Sequence, residues 1–293
     1  MNNLFDTTMT QLEQSLTCEL IASEIDLEGG VKSASVGDEE LLEFATQCQY
    51  SRVPLKDKRF SEATPITHVA IIDIHNKRVV ERRQIAINDL IAGETPLSKA
   101  VEVLRKRGFC FVIVHDEIKK ILTRSDLNKL PMRVYLTTLL AHLEGLLANA
   151  IHKAFPNDQW LDKLSEENQR GVNDLFEEKK KNDFDTRKID CTTLSYKSTI
   201  VQKSHELRQE LSNCGRDKFN DLFKKTINRL RNRLEHGLPA LTEEDNTLRD
   251  HLYHNQQLTK ETDVEWLAEV ILTLRAWIDC LTQSEQEAVG DDT

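Results

Sequence analysis

The chain has 293 residues, of which 39% are hydrophobic and 30% charged, and its formal net charge is −10. This length accommodates two domains, and the balance of apolar and charged residues excludes an intrinsically disordered chain. The acidic charge excludes non-specific coating of nucleic acid, because affinity for phosphate comes from lysine and arginine, so a nucleic-acid ligand would need a local basic patch.

The six cysteines are scattered along the sequence and form no close pairs. This spacing predicts free thiols in a reducing compartment and argues against a zinc site or a disulfide scaffold. No apolar run approaches the roughly 18 residues that span a bilayer, and the polar N-terminus has no signal-peptide pattern. We therefore expect a cytoplasmic protein with no membrane partner.

The first 130 residues combine short strands with short helices. Brief runs rich in β-branched or aromatic residues, bounded by polar turns, predict strands at 69–74, 110–114 and 120–122. Helices are predicted at 38–48 and 96–106, the second with apolar residues at helical spacing. The helix at 38–48 precedes a strand-type segment at 51–55, and the helix at 96–106 precedes the strand-type segment at 109–114. The two pairs lie about 60 residues apart, which is typical of a duplicated α/β unit.

The segment Lys-Ile-Leu-Thr-Arg-Ser-Asp-Leu, residues 120–127, ends a predicted strand in Thr-x-x-Asp where the next helix begins. It resembles CBS domains, the repeats of the cystathionine-β-synthase type that bind adenine nucleotides. The resemblance implies a CBS-domain pair at 16–130, after an extension at 1–15, with Thr123, Arg124 and Asp126 contacting the nucleotide. A hydroxyl at a helix N-terminus can meet phosphate, and a carboxylate can accept both ribose hydroxyls.

An ordinary helix cap explains the same pattern without a ligand, because Thr-x-x-Asp also satisfies the first N–H groups of a helix. The first repeat departs from the family pattern, since Arg82, Arg83 and Gln84 precede its helix and no equivalent Thr-x-x-Asp follows the strand at 69–74. At most one complete nucleotide site is therefore visible in the sequence.

After residue 131 the apolar residues recur with helical spacing. The predicted helices are 133–155, 196–211, 217–236 and 263–281. With no strand among them, this part is predicted to be a bundle of four or five helices. The charge-dense stretch 177–190 is predicted to be a loop or helix end, and the acidic tail 284–293 is predicted to be frayed.

The segment 217–239 contains an amphipathic helix that ends at a clear stop signal. Gly237 and Pro239 follow His236, which therefore lies in the last turn, where the helix dipole favours the protonated imidazole. Arg231 and His236 point away from the apolar stripe. A local basic strip of predicted RNA-binding residues accompanies them: Lys225, Arg229 and Arg233.

The segment Arg231-Asn-Arg-Leu-Glu-His236 resembles the Arg-x(4–6)-His signature of HEPN domains, helical bundles that include many metal-independent endoribonucleases. The resemblance implies a HEPN-like domain at 132–283, a homodimer that brings two motifs together, and catalytic roles for Arg231 and His236 with Asn232 in support. We add Glu144, a carboxylate beside the apolar stripe of the first helix, as a residue that orients the site.

These residue types suit RNA cleavage without a metal or other catalytic cofactor. Histidine titrates near neutral pH and serves as acid or base, and arginine presents a fixed fork of donors to phosphate oxygens. The expected products carry a 2′,3′-cyclic phosphate and a 5′-hydroxyl. One histidine per chain is not enough to act as both the acid and the base, which favours a symmetric dimer that supplies two.

The sequence thus predicts an α+β protein, in which tandem CBS-type α/β repeats precede an all-α HEPN-like bundle. The predicted function is an endoribonuclease effector of the toxin or antiviral-defence type, acting on RNA such as tRNA and regulated by an adenine nucleotide. The alternative is a non-catalytic module that senses nucleotides, binds RNA or dimerises. In that case Arg231 and His236 belong to a solvated helix end, since an arginine five residues before a histidine also arises by chance.

Overall fold

The computed structural model describes residues 11–25, 32–56, 65–213, 227–236 and 261–290. The chain is mixed α+β, and this confirms the general fold class. It divides into two compact units, and the boundary falls between Met132 and Arg133. Within the described ranges, every strand belongs to the unit that precedes this boundary.

The N-terminal unit alternates short helices and strands. In chain order its elements are α1 (Cys18–Ile21), β1 (Ser23–Glu24), β2 (Lys32–Ser33), α2 (Asp38–Cys48), β3 (Arg52–Lys56), β4 (Ile66–Asp73), β5 (Arg78–Gln84), β6 (Leu90–Ala92), α3 (Leu97–Arg107), β7 (Phe109–Val114) and β8 (Glu117–Thr123). Short 3₁₀ turns precede β6 at Ile87–Asp89 and follow β8 at Arg124–Asn128.

The strands form two four-stranded sheets, with the orders β2-β3-β4-β5 and β1-β8-β7-β6. In both sheets a short strand pairs in parallel with the strand that follows a helix, and that strand pairs antiparallel with the next. The order strand–helix–strand–strand therefore occurs twice, as β2-α2-β3-β4 and β6-α3-β7-β8. This is the duplicated α/β unit that the helix–strand spacing predicted.

The core of the N-terminal unit draws on both sheets. One cluster joins α2 to the first sheet through Leu41, Val53 and Ala70. A second cluster contains Val69 of β4 together with Phe109 of β7. Each fully buried side chain of this size stabilises the fold by roughly 1.5–3 kcal/mol. Strand β4 thus contributes to two packed clusters, with Ala70 and Ile72 in the first and Ile66 and Val69 in the second.

Every element of the C-terminal unit that the structure describes is a helix or a 3₁₀ turn. Its elements are α4 (Leu130–Ala154), α5 (Glu166–Lys181), α6 (Leu194–Lys203), α7 (His205–Asn213), α8 (Asn228–Glu235) and α9 (Glu261–Gly290), with 3₁₀ turns at Pro156–Lys163 and Lys188–Cys191. The first of these helices begins three residues before the unit boundary.

Helix α5 was not predicted. It ends within the stretch 177–190 that was predicted as a loop or helix end, and residues 182–190 lie outside any α-helix. Polar residues stabilise both ends of the helix. The Ser165 hydroxyl caps its N-terminus by accepting the N–H of Asn168, and acidic residues in the first turn and lysines in the last complement the helix dipole. Val172 is the one residue of α5 that is buried. Apolar periodicity therefore gave almost no signal for it.

The single helix predicted at 196–211 is wrong, because two helices occupy this range. Ser204 adopts an extended backbone between α6 and α7. Its hydroxyl accepts the N–H of Leu207 at 3.3 Å, so it caps the second helix. The apolar stripe continues through the break, which is why the sequence pattern did not reveal it.

The last two predicted helices are displaced at their ends. Residues 217–226, the beginning of the helix predicted at 217–236, lie outside the described residues, and α8 covers its last part. Helix α9 extends beyond the predicted 263–281 and continues to Gly290. The prediction of a frayed tail from residue 284 is therefore wrong as far as Gly290.

Helix α4 is long and apolar enough to cross a membrane by length and composition, with a mean hydropathy of 1.3 over its most apolar window. The prediction that no apolar run approaches this length is therefore wrong. Of that window, 56% is buried inside the protein. Leu143, Leu147 and Ile151 lie in the core, and Glu144 among them is ion-paired, as in the central helix of a bundle.

The prediction of six free thiols holds for four of them and is wrong for one. Cys18, Cys48, Cys110 and Cys191 are free, whereas Cys280 is disulfide-bonded. Burial raises the pKa of Cys18 to about 11 and that of Cys110 to about 12, so both remain protonated thiols near neutral pH. Within the described ranges, no group of three or more metal-binding side chains is present.

Candidate functional site

The Arg231 motif lies on a short helix that the core holds along one face. Ile227, Leu230 and Leu234 are buried at helical spacing, so α8 packs on the bundle along this stripe. Arg231 follows Leu230 and leaves the stripe, with 27% of its side chain exposed. The Arg231 side chain is therefore partly accessible to solvent.

Two carboxylates contact the Arg231 guanidinium. Its Nη2 lies 2.9 Å from Oε1 of Glu235, one turn further along α8. Its Nε lies 3.9 Å from Oε2 of Glu144 on α4. The structure thus brings Arg231 together with the carboxylate that we predicted as an orienting residue.

The other oxygen of Glu144 contacts a buried lysine. Lys197 of α6 places its Nζ 3.1 Å from Glu144 Oε1 and donates to the carbonyl oxygen of Thr192 at 2.7 Å. Only 3% of the Lys197 side chain is exposed, against 24% for Glu144. One carboxylate therefore bridges a buried ammonium and a partly exposed guanidinium.

Burial lowers the pKa of Lys197, because a charge that leaves water loses hydration energy. Glu144 opposes this shift through its charge and its hydrogen bond, while the positive charge of Arg231 adds to it. The pKa of Lys197 therefore depends first on its burial and then on the charges of Glu144, Asp190 and Arg231.

A second ion pair holds the chain just before Thr192. Arg187 donates from Nε and Nη2 to the two oxygens of Asp190 at 2.9 and 2.8 Å. Its Nη1 donates to Oδ1 of Asn149 on α4 at 2.9 Å. Partial burial works against ionisation of Asp190, but the hydrogen bonds from Arg187 outweigh it and lower the pKa of Asp190. This pair fixes the turn that supplies the Thr192 carbonyl to Lys197.

The helix end carries the second motif residue, His236. It is exposed, and its backbone N–H donates to the Asn232 carbonyl at 3.1 Å as the helix closes. Arg133 of α4 donates to the Leu234 carbonyl at 3.2 Å, which satisfies one of the free carbonyls of the last turn. The end of α8 is thus tied to α4 while His236 remains accessible.

The structure describes only some of the other residues that were predicted to contact RNA. Asn232 is exposed and Arg233 is half-buried on α8. Lys225 lies outside the described residues, as does the side chain of Arg229. The structure therefore brings together Arg231 and Glu144, and it places Asn232 and His236 on the same short helix.

Lys197 was missed by the sequence analysis, although a signal for it exists. It precedes Ile200 by three residues and so lies on the apolar face of its helix. A lysine on an apolar face requires a carboxylate partner, because an unpaired buried charge is strongly destabilising. Glu144, a carboxylate beside the apolar stripe of α4, has the complementary signal.

The predicted nucleotide contacts of the N-terminal unit are engaged with each other. The N–H and hydroxyl of Thr123 donate to Oδ2 of Asp126 at 2.7 and 2.8 Å. Oδ1 of Asp126 accepts from Ser23 at 2.7 Å and lies 2.7 Å from Nζ of Lys129. Arg124 follows Thr123 as the first residue of the 3₁₀ turn.

The Asp126 side chain is only 2% exposed, and both oxygens have protein partners. A ribose would have to displace these partners to reach the carboxylate. The contacts match the ordinary helix cap that the sequence analysis held open as the alternative.

The first repeat contains an equivalent turn that the sequence analysis did not find. Oδ2 of Asp89 accepts the N–H of Ala86 at 2.9 Å, as Asp126 does for Thr123. Both guanidinium Nη groups of Arg83 bond to Asp89, and these bonds lower its pKa. Ala86 has no hydroxyl, so a search for Thr-x-x-Asp could not detect this turn.

No family model matches the chain, and no curated protein matches it. The resemblances to CBS and HEPN domains therefore rest on the residues quoted above.

Proposed function

We propose that the C-terminal unit is a metal-independent endoribonuclease in which Arg231 and His236 are catalytic and Asn232 assists. The observation that carries the proposal is the pairing of Arg231 with Glu144, which Lys197 holds from the opposite side. An arginine at an ordinary solvated helix end has no need of such a partner arrangement.

The proposed chemistry assigns one task to each side chain. Arg231 donates to the phosphate oxygens and stabilises the charge that develops on the pentavalent phosphorus. Imidazole takes the proton of the 2′-hydroxyl or supplies one to the departing 5′-oxygen. The P–O5′ bond breaks as the 2′-oxygen bonds to phosphorus, which leaves a 2′,3′-cyclic phosphate and a 5′-hydroxyl.

Phosphate binding requires a change in the partners of Arg231. Glu235 is 46% exposed and can turn into solvent, since an exposed ion pair contributes little. Glu144 stays, because Lys197 retains one of its oxygens. The guanidinium is then held through Nε while its terminal nitrogens are free for the substrate.

One His236 per chain supplies one acid or base, whereas the reaction requires both. We therefore propose a homodimer in which two motifs face one RNA. The N-terminal unit is proposed to be a CBS-domain pair that binds an adenine nucleotide and biases this dimer, in a cytoplasmic effector of the toxin or antiviral-defence type. The CBS-plus-HEPN architecture belongs to the same proposal.

The second candidate function is a non-catalytic module that binds RNA, senses nucleotides or dimerises. It is favoured by the two carboxylates on Arg231, which would make the residue a structural anchor between α8 and α4. The two candidates differ in whether the Arg231 and His236 side chains are needed for bond cleavage.

Purified full-length protein incubated with total RNA and with tRNA in EDTA tests the proposal. Cleavage should disappear in Arg231→Ala and His236→Ala. It should persist in Arg170→Ala and His205→Ala, which remove an exposed arginine and an exposed histidine elsewhere in the unit. Cleavage that is equal in all four variants would reject the assigned residues, and absence of cleavage in the wild type would favour the non-catalytic module.

A further inference from the structure

Arg52, the first residue of β3, differs from the other arginines near it. Its guanidinium lies over the Phe109 ring, 5.1 Å from the centroid. Nη1 donates to the carbonyl of the adjacent Ser51 at 2.8 Å, and Nε is buried without a hydrogen-bond partner. In the part of the chain that the structure describes, no carboxylate is paired with it.

The nearby arginines of β5 each have an acidic partner. Arg78 lies 3.5 Å from Asp73. Arg82 is bonded to Asp38, and Arg83 is bonded to Asp89. The protein thus neutralises its other exposed or half-buried guanidinium groups on this sheet and leaves Arg52 with a ring and a carbonyl.

This arrangement has an energetic cost. A half-buried cation loses hydration, and a π-face and one carbonyl replace only part of it. Burial lowers the pKa of Arg52, and the positive charge of Arg83 lowers it further. An anion that bonds to the guanidinium would remove this cost.

We propose that Arg52 is the anchor of an anion site that binds a phosphate group. The Phe109 ring covers one face of the guanidinium, and Nη1 is held by the Ser51 carbonyl, so the second terminal nitrogen is the donor from which a phosphate oxygen could accept. Such a site is independent of RNA cleavage and of Arg231.

The register of the second sheet places this site near the Thr-x-x-Asp turn without including it. Phe109, on which Arg52 stacks, is the cross-strand partner of Thr123. The polar groups of that turn are already bonded to one another, whereas Nε of Arg52 is buried and has no hydrogen-bond partner. The proposed anion site is therefore at Arg52 and not at the Thr123–Asp126 turn.

The alternative is that Arg52 only packs, with its stem and ring contact as its whole contribution. The two interpretations differ in what Arg52→Met does, because methionine keeps an apolar stem over Phe109 and removes the charge. A packing role predicts that phosphate acts equally on both proteins. An anion site predicts that phosphate acts on the wild type alone.

The test measures thermal unfolding of the full chain in phosphate-free buffer, with inorganic phosphate or AMP added against sodium chloride at equal ionic strength. Phosphate should raise the Tm of the wild type and of Arg78→Met, the matched control on the same sheet. Arg52→Met should bind phosphate at least ~10-fold more weakly, the ratio expected from one charge-assisted hydrogen bond. Tighter binding of AMP would identify a nucleotide as the source of the phosphate, and equal binding would identify free phosphate.

A second measurement covers the case in which Arg52→Met fails to fold. The Nε–Hε resonance of Arg52, assigned by its loss in Arg52→Lys, should shift in the wild type as phosphate is added and stay in place with chloride. The proposal is overturned if this resonance does not respond, or if the wild type and Arg52→Met gain the same Tm.

Discussion

Glu144 and Arg231 stand on different helices, and Oε2 of Glu144 lies 3.9 Å from Nε of Arg231. Because Lys197 holds the other carboxylate oxygen, the position of Arg231 depends on a buried lysine that it does not touch. Glu144 and Lys197 therefore position the proposed site, whereas Arg231 and His236 are the residues that would act on RNA.

Replacement of Glu144 by glutamine should destabilise the C-terminal unit by about 1–3 kcal/mol. The amide leaves the buried Lys197 charge without its counter-ion, and 24% exposure of Glu144 keeps the cost below that of a fully buried pair. Chemical denaturation gives the free energy of unfolding. The matched control is Glu235→Gln, whose exposed pair with Arg231 should cost no more than about 1 kcal/mol. Equal losses in the two variants would show that the Glu144–Lys197 pair is not the stabilising one.

Lys197 should make the stability of the protein depend on alkaline pH. Its pKa is lowered in the folded state from the ordinary value of 10.5. The unfolded chain then binds more protons between the folded and unfolded pKa values, so stability rises with pH across that window. Below the folded pKa Lys197 is protonated in both states, so the full free-energy cost of burying the charged ammonium opposes folding. Unfolding free energies measured from mildly alkaline pH to about 10.5 should show this rise in the difference between wild type and Lys197→Met. A difference that is flat or falls with pH would contradict the burial of a charged lysine.

Asp126→Asn should lower the stability of the N-terminal unit by about 2 kcal/mol, with or without nucleotide. The carboxylate accepts three hydrogen bonds and pairs with Lys129, and an amide cannot replace all of these contacts. Asp116→Asn, at an exposed turn, is the control and should change stability by less than about 0.5 kcal/mol. Tolerance of Asp126→Asn together with loss of nucleotide binding would favour a ligand-binding role for Asp126 over the cap.

Ser204→Ala should cost about 1 kcal/mol, because it removes the hydroxyl that caps α7 at the break from α6. Ser195→Ala, an exposed serine within α6, should have little effect. Denaturant unfolding of both variants measures the difference. If Ser204→Ala is neutral, the break is maintained by packing and not by the cap.

Helices α2 and α3 and strands β4, β7 and β8 could be predicted, because β-branched runs and helical apolar spacing carry strong local signals, whereas β1, β2, β5 and β6 are too short or too polar to give one. Helix α2 was placed with its observed bounds, Asp38–Cys48. What could not be predicted depends on single polar atoms. Ser204 caps a second helix at a point where the apolar residues before and after it keep the spacing of a single helix. The Ala86–Asp89 turn lacks the hydroxyl that would have identified it.

The candidate site was predictable only as separate residues. Arg231 and Glu144 could be selected from their positions on amphipathic helices, but their contact depends on how α8 packs on α4. Lys197 shows the same limit, since its apolar-face position indicates a buried charge without identifying the partner. Pairings between helices distant in sequence require the three-dimensional packing.

The nature of the RNA ends produced in EDTA tests the central claim most directly. Full-length wild-type protein should generate new 2′,3′-cyclic phosphate and 5′-hydroxyl ends on tRNA or total RNA, and His236→Ala should generate none while folding as the wild type does. New ends at the wild-type rate from His236→Ala, or 3′-hydroxyl and 5′-phosphate ends from the wild type, would contradict catalysis by the Arg231–His236 motif.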